Sequence, residues 1–524
     1  MKKINLAALI YTGVGSIVGS GWLMSSMLIS QTSGPAAILS WFIGGLIIAV
    51  IAVNFIEICS FLPTHIGGFG HYVEYTHTSF TSFIAEWVFL LSWIGLIPAE
   101  ATASVQYLSS FSDRLTYLVI DTRGHFTHLG IGLASFMCVI YFIINYLSLT
   151  TLMRFIKYLT LFKIIVPVVV ALALISTTHH VSNLGLSNHT FLAYGFNGLL
   201  TAITTGGVVF AFIGFQTPIT FAHEAENPKR NIPLAIISSV VFCVIIYSSL
   251  QLAYLLAVSP ELLLSKGGWH NITMAAPFVE LSRMAGLPGL VLVLLCAAFL
   301  SPFGAGLIFN ASTARIARSF SNYLPKFVMH TNKRGVPSGA LYFVLMICLL
   351  ILWVLPAWQL IIAIVCTGLV LLFAIICIVN GSLNKLTYDL SIKHGIRMKG
   401  SKLFSLSGFI FSSLMFVWSC WPLTGQATVV VLIGIPIYLY YNAKLAGWVN
   451  SLRDIKDGFW LLIYVTFMVI ISYLSPFGGK HILSSALSQT LVVMVATFFY
   501  FIAVNKGFIT NKLKEHIRRL EEGK

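Results

Sequence analysis

The sequence predicts an all-α protein that crosses a membrane many times, and three observations carry the prediction. Of 524 residues, 58% are hydrophobic and only 9% are charged, where a soluble domain carries about a quarter charged residues. The apolar residues fall into fourteen long runs, each near the roughly 20 residues a helix needs to cross the hydrocarbon core. The 31 Lys and Arg collect in every second gap between those runs, as the positive-inside rule requires of a multispanning chain. This excludes a soluble enzyme. The basic residues lie in loops without interleaved surface aromatics, so the net charge of +15 does not indicate a nucleic-acid partner. The expected partner is the lipid bilayer.

Taken in order, spans 1 to 5 lie near 5–31, 36–62, 79–108, 126–148 and 152–176. Spans 6 to 10 lie near 197–222, 232–257, 287–316, 338–355 and 357–381, and four more near 403–422, 426–443, 458–475 and 484–505. With both termini in the cytoplasm, about 26 of the 31 positive charges fall inside, counting Lys163 because its helix starts there. The inner gaps hold Arg154 and Lys157, Lys229 and Arg230, Arg315 through Arg334, Lys385 through Lys402, and the tail Lys506 to Lys524. The outer gap 177–196 holds no Lys or Arg. The first run lacks a small-residue cleavage site and is long enough to span, so it does not read as a cleavable signal. The eight cysteines (Cys59, Cys138, Cys243, Cys296, Cys348, Cys366, Cys377, Cys420) almost all fall within the runs without C-x-x-C spacing. They read as packing residues rather than disulfides or metal ligands.

Two spans carry helix-breaking residues. Span 1 contains Gly13, Gly15, Gly19 and Gly21 before Trp22, and span 6 contains Gly206-Gly207 and then Gly214-Phe215-Gln216-Thr217-Pro218. Glycine weakens a helix, and proline removes a donor and clashes with the preceding turn. Unwound backbone at membrane depth is tolerated only where it lines a cavity or is buried in protein. The broken helices are the first of one set of five spans and the first of the next, and an odd number of spans inverts the second set. Matched discontinuous helices in inverted repeats mark a transporter binding site. The positive end of a half-helix receives a carboxylate and freed carbonyls receive an ammonium, so an amino acid zwitterion satisfies both. The alternative for Gly15-x-x-x-Gly19 is a helix-packing motif. A dinucleotide loop is excluded, since the spacing is wrong and no strand precedes it.

At these residues the chain resembles the amino acid–polyamine–organocation permease superfamily, over most of residues 4 to 380. The resemblance rests on Gly19-Ser20-Gly21, on Glu57 followed by Leu62-Pro63 and Gly67-Gly68, and on Phe212 to Phe215 with Glu224 and Asn227 to Pro233. Arg315 through Pro325, then Gly335-Val336-Pro337, complete it. Trp22 and the stretch Glu100-Ala101-x-Ala103-x-x-Gln106-Tyr107 look most like the bacterial and archaeal amino acid transporter branch. The resemblance implies a five-plus-five inverted-repeat fold, alternating access and a substrate at mid-membrane. The repeats would be 1–176 and 197–382, with further C-terminal helices over 403–505 and a basic tail over 506–524. The implied contacts are the backbone of Ile17, Val18, Gly19, Ser20 and Gly21 for the α-carboxylate and of Phe210, Ala211, Phe212, Ile213 and Gly214 for the α-ammonium, with Ser16 also expected at the substrate site. Phe210 falls where related exchangers place a gating aromatic. Gln216, also expected at the site, stands where several exchanging relatives carry Glu. The junction Gly67 to Tyr72 carries an insertion relative to the usual form.

Ionisable groups inside a bilayer cost at least a few kcal/mol and are functional candidates by default. Lys163 precedes Ile164-Ile165-Val166-Pro167 in span 5; a lysine there in some relatives resembles a replacement for sodium, and the alternative is snorkelling to the interface. Glu100 and Glu86 share one face of span 3, and Glu100 is the deeper. Lys163 and Glu100 are therefore the expected proton-coupling residues, and Trp22, Glu57 and Glu224 are expected at gates and interfaces. His179-His180 with His189 lack the spacing and partners of a metal site, so no metal and no cofactor are expected. Asn188-His189-Thr190 and Asn271-Ile272-Thr273 match glycosylation sequons. The spans hold no convergent catalytic set, which excludes a membrane enzyme. The expected function is a secondary active amino acid or amine permease of a bacterial inner membrane, coupled to protons rather than sodium. An obligate exchanger and a non-transporting sensor of the same fold are the alternatives. The last four spans could pack protomers together.

Overall fold

The computed structural model describes residues 3–62, 69–109, 112–121, 125–147, 149–186, 190–274 and 276–522, with side chains for all of these except Phe69, Asp113, 149–157 and His223. Pro63, Gly67-Gly68 and Asn188-His189 of the sequence motifs lie outside the described residues, as do the side chains of Arg154 and Lys157. Among the described residues the chain is helical apart from loops and two isolated bridges, Ile4 to Ala225 and Ile120 to Phe126. Twelve helical stretches are long and apolar enough to cross a membrane. One of these, Gly21–Phe61, is two helices joined at Gly34–Ala36, and the shorter apolar helices Leu6–Ile17 and Ser338–Val354 complete the set. Every expected span thus has a helical counterpart. Span 13 differs most in its bounds, running Trp448–Leu474 rather than from 458. Its first turns carry exposed Arg453, Lys456 and Asp457, so the helix continues past the apolar segment that the sequence pattern detects.

Span 1 breaks into 1a (Leu6–Ile17) and 1b (Gly21–Ser33), leaving Val18 to Ser20 unwound. Span 6 breaks twice rather than once. Its pieces are 6a (Gly195–Thr204), a middle helix (Val208–Phe212) and 6b (Thr217–Thr220). The two glycine signals act separately: Gly207 has φ +99° and Gly214 φ +114°, a region that side-chain-bearing residues enter only with strain.

Around these breaks, 1a packs against spans 5 (Leu149–Thr177), 7 (Pro228–Ala257) and 8 (Pro288–Ser319), and span 3 (Ser79–Ser109) packs against spans 8 and 10 (Trp358–Leu386). The end that bears both termini is tied by polar contacts. Ile4 donates its amide to Glu224 O at 2.8 Å, and Arg315 pairs with the Glu224 carboxylate at 3.2 Å while lying over the Phe221 ring. Phe508 N donates to Thr76 O at 3.0 Å, and His516 Nε2 lies 2.9 Å from Phe61 O.

Glu57 is fully buried and pairs with Arg397 at 3.0 Å. It also accepts from Asn380, Ser401 and the Met398 amide, so it fastens the 395–400 loop onto span 2. Burial pulls the Arg397 guanidinium below its ordinary range, and the Glu57 carboxylate opposes that pull. Arg397→Met leaves a buried carboxylate without its counter-charge, an expected cost of about 3–5 kcal/mol. A lower thermal midpoint of purified protein, largely restored by the Glu57→Gln/Arg397→Met double variant, checks it.

Candidate functional site

The two broken spans meet at their interruptions. The Gly214 backbone lies against Ser16 and Ile17 so closely that a Cβ would stand 2.6 Å from Ser16 Cβ. Gly21 likewise leaves room for the Phe210 ring. A helix end buried in a membrane must satisfy its orphaned backbone groups, and here side chains from four other spans do so. Lys163 Nζ donates to Gly15 O at 2.5 Å from span 5. Tyr247 OH donates to Ile17 O at 3.0 Å from span 7. Ser301 of span 8 shares its hydroxyl between Gly19 O (2.9 Å) and Val18 O (3.1 Å), and accepts from Trp22 Nε1 at 3.2 Å. From span 3, the Glu100 carboxylate accepts the Ser20 amide at 2.9 Å.

The two expected coupling residues therefore flank the same unwound segment, the cation on a carbonyl and the anion on an amide. Both are 1% exposed, and each is held by backbone rather than by the other, although their charges attract through the low-dielectric interior. Lys163 does not reach an interface: its amine lies beside Gly15 and 3.5 Å from where a Gly304 Cβ would sit. A residue at Gly19 with any side chain would collide with the Glu100 carboxylate. Small glycines thus let an anion approach the start of 1b, where the helix dipole favours it.

On the side of the break away from the termini, Phe210 meets Trp358 edge-on, with centroids 5.5 Å apart. Trp358 Nε1 also donates to Ser20 Oγ at 3.2 Å. Beyond this aromatic pair is a cavity of about 160 Å³ lined by Leu28, Thr204, Thr205, Gln359 and Thr367. Phe210 and Trp358 are the partition between that cavity and the break.

The expected residues do not all point to one place. Phe212 packs on Trp41 and Tyr247, so only its backbone belongs to the break. Val18 and Ala211 are buried there, and Ile213 turns the chain out of the middle helix. Ser16 Oγ and both amide atoms of Gln216 are buried and make no hydrogen bond, a state that costs about 1–3 kcal/mol per group unless a ligand or water partners it. Glu57 and Glu224 lie at the terminus-bearing end, each paired with an arginine, Arg397 and Arg315. Ser301, Tyr247 and Trp358 were not among the sequence candidates. Ser301 had a signal, since it precedes Pro302 inside a span; Tyr247 and Trp358 had none.

A family model described as amino acid permease matches residues 4–441. The chain is 35% identical to the "Glutamate/serine transporter AimA" of Bacillus subtilis over 98% of this chain and 95% of that protein. It is 31% identical to the "Aspartate-proton symporter" of the same organism over 97% of this chain and 96% of that protein. Its likeness to the "Aromatic amino acid transport protein AroP" of Escherichia coli is 28% identity over 72% of this chain and 80% of that protein.

Proposed function

Because the chain belongs to the amino acid permease family, we propose that it imports an acidic or small polar amino acid together with a proton, by alternating access. The two relatives that match nearly end to end carry glutamate and serine or aspartate, which supports that substrate class. The observation that carries the coupling is Glu100 on the Ser20 amide opposite Lys163 on the Gly15 carbonyl. An arriving substrate carboxylate needs the amide that Glu100 holds. Two carboxylates do not share one amide unless one is protonated, so substrate and proton enter together. The ammonium then goes to the carbonyls at the ends of 1a and of the middle helix of span 6, whose oxygens can each accept a second hydrogen bond.

In this reading spans 1 to 5 and 6 to 10 form repeats of opposite orientation, both termini are cytoplasmic, and Phe210 with Trp358 close the outer side. Reconstituted protein should take up labelled aspartate, glutamate or serine saturably, faster when the outside is acidic. Absence of uptake of any common amino acid, with or without a pH gradient, would remove the proposal. The Phe210–Trp358 partition also suits an obligate exchanger, and uptake that required counter-substrate inside the liposomes would select that reading. Phe210→Ala is expected to raise KM about tenfold, in line with the roughly 0.5–1.5 kcal/mol of an aromatic pair, with kcat changed less.

A further inference from the structure

Away from the broken helices, one group of donors plays no part in transport as proposed. His71 and Glu74 lie three residues apart on the 3₁₀ helix Phe69–Tyr75, a spacing that eclipses their side chains in such a helix. Glu86 faces them from the second turn or so of span 3, and Ser82 donates to its Oε1 at 3.2 Å. His71 Nδ1 stands 3.5 Å from Glu74 Oε1 and 3.4 Å from Glu86 Oε1, and the three donor atoms fall within 4.8 Å of one another. Those separations are long for hydrogen bonds. They match the edge of a metal tetrahedron, since two ligands each about 2.0–2.1 Å from zinc stand roughly 3.4 Å apart.

We infer that His71, Glu74 and Glu86 form a binding site for a zinc-class divalent cation at the end of the protein that bears both termini. The surroundings suit an ion. A Cβ on Gly70 would stand 2.8 Å from Glu86 Cγ, so glycine is what lets the junction approach span 3 closely enough for His71 to reach. Glu86 is only 5% exposed, a buried carboxylate with an imidazole on one oxygen. Lys512 of the tail pairs with the second oxygen of Glu74, which orients the carboxylate and leaves Oε1 to the metal. A cavity of about 600 Å³, also lined by Ser79, Asp454 and Lys514, opens beside the cluster and supplies water for a fourth position. An imidazole donor disfavours magnesium and calcium, and the lack of thiolate disfavours copper(I). Bound metal would staple the junction after span 2 onto span 3 and, through Glu74 and Lys512, hold the tail.

The test is calorimetric titration of chelator-stripped, full-length protein in nanodiscs with Zn²⁺, and with Mg²⁺ and Ca²⁺ for comparison. One Zn²⁺ per chain is expected, with weak or no response to the other two. His71→Ala and Glu86→Gln should each lower Zn²⁺ affinity at least about tenfold, while a His179→Ala/His180→Ala variant keeps it. Should Glu86→Gln fail to fold, His71→Ala carries the test, because its side chain is partly exposed. Tetrahedral visible bands on Co²⁺ loading, lost in His71→Ala, would support the assignment independently. No saturable Zn²⁺ binding, equal affinity in wild type and His71→Ala, or loss only in the His179/His180 variant overturns it and leaves His71 as an ion-pair partner of two carboxylates.

Discussion

Lys163→Met is expected to abolish proton-driven accumulation of substrate, lowering the initial rate under a pH gradient by more than about a hundredfold. Methionine preserves the length and apolar stem of the side chain but removes the cation that meets Gly15 O. It also takes from Glu100 the positive charge of Lys163 that attracts it across the break. Removing one member of a buried charged set costs about 3–5 kcal/mol, and every 1.4 kcal/mol is a factor of ten in a population. Glu100→Gln separates the two roles. Its side-chain oxygen still accepts the Ser20 amide, but it cannot exchange a proton, so substrate counterflow should persist while accumulation no longer depends on external pH. Measurements in liposomes with and without an imposed gradient distinguish these outcomes. Wild-type proton dependence in either variant would remove the pair from the coupling step.

Gly214→Val should eliminate transport while leaving protein in the membrane. At φ +114° a β-branched residue is strained by roughly 1–3 kcal/mol, and its Cβ would also overlap Ser16 and lie 2.9 Å from the Ser16 carbonyl carbon. The strain falls on the contact between spans 1 and 6, so that contact must open to relieve it. Gly267→Val provides the comparison. Its φ is +72°, but the nearest atom to a Cβ is Asn271 Nδ2 at 3.8 Å, so a modest loss of stability without loss of uptake is expected. Uptake normalised to the amount of protein in the membrane checks both. Equal activity of the two variants would show that close approach of spans 1 and 6 is not required.

Much of this arrangement was legible in the residues themselves. Apolar run length located the spans, because desolvation fixes how many residues must cross. Glycine and proline marked both broken spans, because backbone conformation is set locally. Lys163 and Glu100 stood out because charge is rare inside the apolar runs. What the chain did not announce were contacts made by ordinary residues through tertiary packing. Tyr247 and Trp358 are aromatic residues like dozens of others, and only tertiary packing of spans 7 and 10 around span 1 brings the Tyr247 hydroxyl to Ile17 O and the Trp358 Nε1 to Ser20 Oγ. Phe212 shows the converse: its neighbours in sequence are at the break, yet helical geometry turns its ring into the core. The His71, Glu74 and Glu86 set was hidden for a third reason, since a turn of 3₁₀ helix and a separate helix had to be folded together before the spacing meant anything.

The double interruption of span 6 has a mechanical consequence. Val208–Phe212 is a piece of five residues, about 7.5 Å long at 1.5 Å per residue, with a glycine pivot near each end at Gly207 and Gly214. Both joints to its neighbours 6a and 6b are therefore made by backbone in a region that side-chain-bearing residues enter only with strain. Phe210 sits on that piece, so its contact with Trp358 is set by a five-residue segment rather than by a whole membrane helix.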